Sequence, residues 1–283
     1  MDPEISIRLM ARVRPKGPLF HYTSAKGLLG ILDTKHIWAS SAYHLNDSRE
    51  YRYAIELVRQ GLVNRLRSAE GPDNHICGEL LDELGGMATF SQMFVASFSE
   101  ENDLLSQWMA YGGGENGYAI GIRRAHLRSS FREGFSLIRC IYDEEEHQKL
   151  ASDLLEMVIR ISRNESGGND ELTKLVLAGF AAFKHSGFKQ EKEWRLVKAI
   201  PIPFQLGADV HFREGRNGVV PFITAPLLLE KGKFVPDSIT LGPNDDLIAA
   251  EIAAHSLLAS KGLYGFMTKS RTKLISSKTP YRP

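Results

Sequence analysis

The stretch Gln190-Glu191-Lys192-Glu193-Trp194-Arg195 sets two carboxylates and a guanidinium at alternate positions, directly ahead of an apolar run through Leu196, Val197, Ala199 and Ile200. Side chains alternate faces along a strand, so Glu191, Glu193 and Arg195 are expected on one side of it. Charges held at the margin of a core are costly unless paired, and a fold that keeps them there often uses them. The plain alternative is an ion-pair ladder on an edge strand, which also discourages edge-to-edge association.

Other polar groups collect at the ends of expected elements. His21-Tyr22-Thr23-Ser24 closes a short strand with an imidazole, a phenol and two hydroxyls, enough to hold a sugar or an amide. The plain reading there is a structural histidine beside a helix cap. Asp47 followed by Glu50 resembles a capping box, and capping accounts for most of Asn46, Asp47 and Glu50. Ser97-Phe98-Ser99 ends another strand. Trp108 and Tyr111 share a helix face, an arrangement more common in cores than in binding sites. Glu100, Glu101 and Asp103 have the oxygen ligands for a Mg2+-dependent nuclease, though negative charge at a helix start explains them more simply.

Several chemistries are excluded by motif. Gly112 to Gly117 matches G-x-G-x-x-G, but it follows a helix and opens a strand, the reverse of a dinucleotide fingerprint, and is read as a flexible turn. No P-loop, H-E-x-x-H or G-x-S-x-G motif occurs, and the 9 histidines are dispersed. The 2 cysteines, Cys77 and Cys140, exclude a disulfide framework and a cysteine zinc site, and they fit a reducing cytoplasm.

The 283 residues carry a net charge of +1, so global charge makes no case for nucleic acid. Locally, Arg123, Arg124, Arg128, Arg132 and Arg139 form one basic stretch, and Lys261, Lys269, Arg271, Lys273, Lys278 and Arg282 form another. Either could hold phosphate, although a solvated face is commoner. The acidic start Met1-Asp2-Pro3-Glu4 lacks the apolar core of a signal peptide, and no apolar run approaches a membrane span.

Strands are expected at 19–23, 36–40, 93–98, 118–122, 137–142, 193–200, 218–224 and 234–241, with a last one near 265–275. Helices are expected after Ser24, from Asp47, over 76–87, 104–111 and 245–261 (the last amphipathic), and through 144–186 with a break at Gly167-Gly168. Short strands separated by helices, with no repeat and no linker, indicate one α+β domain over 1–283 with a helical insertion around 144–186.

Taken together, the motifs resemble a large bacterial family long catalogued as a domain of unknown function. The pattern is His21-Tyr22-Thr23, Trp38, Asn46-Asp47 with Glu50, Phe98-Ser99-Glu100, Trp108 with Tyr111, Gly117 to Gly121, and Glu191 to Arg195. Ile239 to Pro243 and Pro280-Tyr281-Arg282 look like its C-terminal signatures. That layout is in turn similar to ADP-ribosyltransferases, above all the DarT-type toxins that modify nucleic acid. The resemblance implies a split mixed or antiparallel sheet of ADP-ribosyltransferase type, surrounded by helices and gripping NAD+. It implies His21 on an NAD+ ribose with Tyr22, Thr23 and Ser99 nearby, and Tyr111 or Tyr43 on the nicotinamide. Glu193 would be the catalytic carboxylate, and Glu191 the group that deprotonates the acceptor. Arg195 or Lys189 would hold the pyrophosphate or keep the carboxylates ionised. It further implies a cytoplasmic toxin or antiphage effector that uses NAD+ without a metal, takes RNA or DNA as acceptor and is neutralised by an antitoxin protein. A non-catalytic nucleotide- or partner-binding module of a defence system is the alternative.

Overall fold

Strand β3, at the centre of the fold, has two edges and three partners. The structure is a computed structural model; it describes residues 2, 13–44, 48–68, 73–90, 92–112, 116–163, 170–200, 209–215, 218–228, 232–264 and 272–280. Among these, 10 strands form one sheet. They are β1 (Leu19–Thr23), β2 (His36–Ser41), β3 (Gln92–Ser99), β4 (Tyr118–Ile122), β5 (Ser136–Arg139), β6 (Glu193–Ile200), β7 (His211–Gly215), β8 (Gly218–Pro226), β9 (Ser238–Leu241) and β10 (Lys273–Ser276). The helices are α1 (Ala25–Thr34), α2 (Ser48–Ser68), α3 (Asp73–Phe90), α4 (Leu105–Tyr111), α5 (Arg128–Arg132), α6 (Glu144–Arg163), α7 (Asp170–Gly179) and α8 (Leu247–Ser260). Only β9 and β10 pair in parallel, so the chain is a single α+β domain on a mixed, mostly antiparallel open sheet.

The strand order is β10-β9-β4-β1-β3-β2-β8-β7, with β6 and then β5 attached to β3. β6 pairs with β3 along its whole length, from Gln92–Ile200 to Ser99–Glu193. The opposite edge of β3 is shared, for β2 takes Phe94 and Val95 while β1 takes Ser99. Between those contacts β1 and β2 splay apart, and the sheet forks. Helix α1 joins the two arms. Ser24 caps it by accepting the Gly27 N–H, and Leu28, Ile31 and Leu32 bury its apolar side.

Alternation along β3 and β6 divides the interior in two. Met93, Val95 and Val197 face α2, α3, α6 and α7 in one cluster. Phe94, Ala96, Phe98, Trp194 and Leu196 face α1 and Leu258 of α8 in the other. The segment read as an insertion thus supplies Leu150, Leu154, Met157 and Val176 to the same core as α2. β6 lies between β3 and β5, which corrects the expectation of an edge-strand ladder. The sequence pattern missed β7, whose His211, Arg213 and Glu214 show no apolar alternation. Helix α8 is not amphipathic as expected, since Ile248 and Ile252 stand in solvent. No helix of the described residues is long and apolar enough to cross a membrane. Asn46, Asp47 and the Gly167-Gly168 break lie outside the described residues.

Candidate functional site

Glu193 and Arg195 follow each other on the helix-covered face of β6, and the chain brings two more carboxylates and a lysine to meet them. Arg195 Nε donates to Glu193 at 3.0 Å, and its Nη2 donates to Glu50 at 2.7 Å and Glu193 at 3.1 Å. Its Nη1 donates to the carbonyls of Ala181 (2.9 Å) and Phe183 (3.2 Å). All five guanidinium N–H groups are thereby used inside the protein. Lys184 Nζ lies 2.8 Å from Glu193 and 3.0 Å from Glu191. Lys184 is 2% exposed and Glu193 6%, so three carboxylates and two cations share one buried network.

The electrostatics follow from that pairing. Burial alone would raise the Glu193 carboxyl, but the charges and hydrogen bonds of Arg195 and Lys184 outweigh it and hold the group down at about 2. Burial works against the Arg195 guanidinium as well, and its anionic neighbours still hold its pKa well above the ordinary arginine value. Burial pushes the nearby Cys140 thiol well up, which removes it as a nucleophile. The Tyr142 hydroxyl accepts the Glu193 N–H at 2.7 Å. Arg195 thus favours the ionised form of the Glu193 carboxyl.

Glu50 has contacts beyond the cap that its spacing suggests. Its carboxylate pairs with Arg195 and accepts the His185 N–H at 3.3 Å. Lys184 and Tyr142 were not singled out in the sequence. The one available signal for Lys184 was a lysine directly after the apolar run Phe180 to Phe183.

The remaining residues of the pattern are placed as follows. Ser99 Oγ donates to the Glu191 carbonyl at 2.6 Å and accepts the Glu101 N–H, so it fixes the approach to β6. Tyr22 is buried against the Trp108 ring, donates to the Glu101 carbonyl and accepts the Leu104 N–H. His21 Nδ1 lies 3.0 Å from the Ser97 carbonyl inside the fork. Burial lowers the His21 pKa, against a smaller opposing effect of that bond. By register, Phe20 and Tyr22 share the face of Ser99 and Glu193, whereas His21 and Thr23 point the other way, with His21 against Phe98. Tyr111 is exposed at the end of α4, and Tyr43 packs edge-on against Tyr51.

The acidic turn is fully engaged. Glu100 accepts from the Trp194 indole, Glu101 pairs with Lys192, and Asp103 accepts from Trp108, Ser277, Thr279 and the Lys278 N–H. No group of metal-ligating side chains occurs among the described residues, and these bonds leave the nuclease reading without support.

Two cavities border these residues. The first, about 710 Å³, opens in the fork, and its walls include His21, Thr23, Lys26, His36, Trp38 and Arg213. Trp38 is 49% exposed and stacks on Phe222 at 4.4 Å between centroids. Arg213 donates to Ser40 at 3.1 Å. The second cavity, about 930 Å³, includes Glu50 and Lys184 of the ion network in its lining.

Comparison with known proteins adds one finding. The family described as "Protein of unknown function (DUF2971)" matches residues 107–196. The chain is similar to that family over this stretch. The match runs from α4 to β6 and takes in Lys184, Glu191, Glu193 and Arg195, while β1, Glu50 and Trp38 lie outside it. No curated protein and no solved structure matches the chain.

Proposed function

We propose that the fork pocket binds NAD+ and that the protein is an NAD+-dependent ADP-ribosyltransferase acting on nucleic acid. The observation that carries this reading is the fork, a split in the sheet whose cavity is lined by His21 and Thr23. Lys26 and Arg213 supply positive charge for a pyrophosphate, and the open face of Trp38 offers a stacking platform for a base. Glu193 provides an ionised carboxylate of the kind that stabilises an oxocarbenium-like ribose as nicotinamide leaves. Phe20, Ser99 and Glu193 stand in register across three adjacent strands, about 10 Å from first to last at two strand spacings. A dinucleotide held at the fork would reach Glu193 round the end of β3, with Glu191 beside it for the acceptor proton.

The acceptor and partner belong to the same proposal. Arg123 and Arg124 would meet phosphates; at present Arg123 pairs with Asp237, and Arg124 lies over the Phe131 ring. Lys269 and Arg271 lie outside the described residues. An antitoxin protein would neutralise such an enzyme, and the reading places it in the cytoplasm.

One observation favours a second reading, a non-catalytic nucleotide-binding module. Glu193 is buried and fully paired, and it shares neither cavity's lining. Labelled NAD+ incubated with RNA, DNA and cell protein separates the two. Transfer by the wild type, lost in Glu193→Gln with NAD+ binding retained, supports the transferase. NAD+ binding weakened by Trp38→Ala, with no nicotinamide released by the wild type, leaves the binding module.

A further inference from the structure

The second cavity has a different chemistry from the fork. Tyr53, Tyr142, His147 and Phe188 form its walls, and Glu50, Asp143 and Glu144 supply carboxylates. Among the described residues that line it, the one lysine or arginine is Lys184, which is turned into the ion network against Glu191 and Glu193. An anion entering the cavity would meet the exposed carboxylates of Asp143 and Glu144, while Glu50 and Lys184 are both held in the ion network. A cation would meet complementary charge together with aromatic faces.

The rings are arranged to receive it. Phe188 already serves one cation, with Lys184 Nζ 4.9 Å from its centroid, and it remains 39% exposed. Tyr53 is held edge-on by His147 at 5.9 Å and by Phe183 at 6.4 Å, and it is 40% exposed. His147 is fixed in turn, with Nε2 2.8 Å from the Ile141 carbonyl. Aromatic walls held in place beside carboxylates are the arrangement that selects ammonium and guanidinium groups over neutral molecules of similar size.

We propose that this cavity is a binding site for a small organic cation of the ammonium or guanidinium class, separate from the fork pocket and independent of the NAD+ reading. Isothermal titration of the full chain with choline and with agmatine tests it, with glycerol and adenosine monophosphate as neutral and anionic controls. At least one cation should bind, and neither control should compete. Tyr53→Ala and Phe188→Ala, both at half-exposed rings and each checked for a cooperative thermal melt, should each weaken binding about threefold to thirtyfold. Glu144→Gln should weaken it in the same direction, whereas Trp38→Ala in the fork should leave it unchanged. The proposal fails if neither cation binds at millimolar concentration. It fails equally if binding is indifferent to Tyr53 and Phe188, or if adenosine monophosphate displaces the cation.

Discussion

Arg195 and Glu50 stand 145 positions apart in the chain and 2.7 Å apart in space. Their pair fastens β6, in the middle of the sheet, to the first turns of α2 on its covered face. The arginine has no donor left for a ligand, so its contribution to any chemistry runs through the carboxylates it holds.

Removing one member of a buried ion network leaves the others uncompensated. Arg195→Met is therefore expected to destabilise the protein by about 3–5 kcal/mol. Urea unfolding of the variant checks this, and a loss below about 1 kcal/mol would mean that the network is better hydrated than its burial indicates.

Acid should act on the same network. The Glu193 carboxyl is held at about 2 in the folded chain against an ordinary 4.5. A depressed carboxyl stabilises the fold above its unfolded value and loses that contribution as pH falls. Stability should thus drop by about 3 kcal/mol from this group between pH 4.5 and pH 2. Denaturation series for the wild type and Glu193→Gln should differ in slope across that window and run parallel above pH 6.

Asp103 ties the turn after β3 to the end of the described chain. Burial opposes its charge, yet hydrogen bonds from Ser277, Trp108, the Lys278 N–H and Thr279 outweigh that and hold the carboxyl below its usual value. Asp103→Ala should cost about 2–3 kcal/mol. Hydrogen exchange should quicken at residues 277–279 ahead of β9, and uniform protection would show that β10 holds this segment by itself.

Two glycines should respond in opposite senses. A Cβ at Gly117 would lie 2.6 Å from the Gly112 Cα and 3.2 Å from the Trp108 ring, whereas one at Gly30 would meet nothing within 4 Å. Gly117→Ala is expected to destabilise by about 1–3 kcal/mol. Gly30→Ala, inside a helix, should stabilise by about 0.5–1 kcal/mol. Thermal melts of the two variants decide the matter. The contrast also explains the glycine motif physically, since Gly112 and Gly117 let two backbone segments close over Trp108.

Much of the architecture was legible because local patterns decide it. β1 with the Ser24 cap, the β3 run and the start of β6 at Glu193 follow from alternation and capping, which act within a few residues. The shared face of Glu193 and Arg195 came from the same alternation. The place of Glu50 in the ion network was not legible, because its spacing already satisfies a capping rule while Arg195 lies far along the chain. Lys184 carried almost no signal, since a lysine after a buried run reads as surface until the carboxylates around it are known. The fork was beyond sequence spacing altogether, because it arises from β1 and β2 competing for one edge of β3. Trp38 and Arg213 acquire their setting only from it.

The same competition bears on how the protein is made. β1 is the first of the described strands, yet its partners are distant, with Leu19 opposite Ile122. β3 waits about as long for β6, and Glu50 meets Lys184 and Arg195 only when both have emerged. Loops this long must close before their contacts contribute, which sets folding in the millisecond-to-second range of sheet-dominated topologies. A chain arrested before Arg195 would leave one edge of β3 bare and the Glu50 carboxylate without its nearest cation, so this part of the sheet assembles only after β6 has emerged.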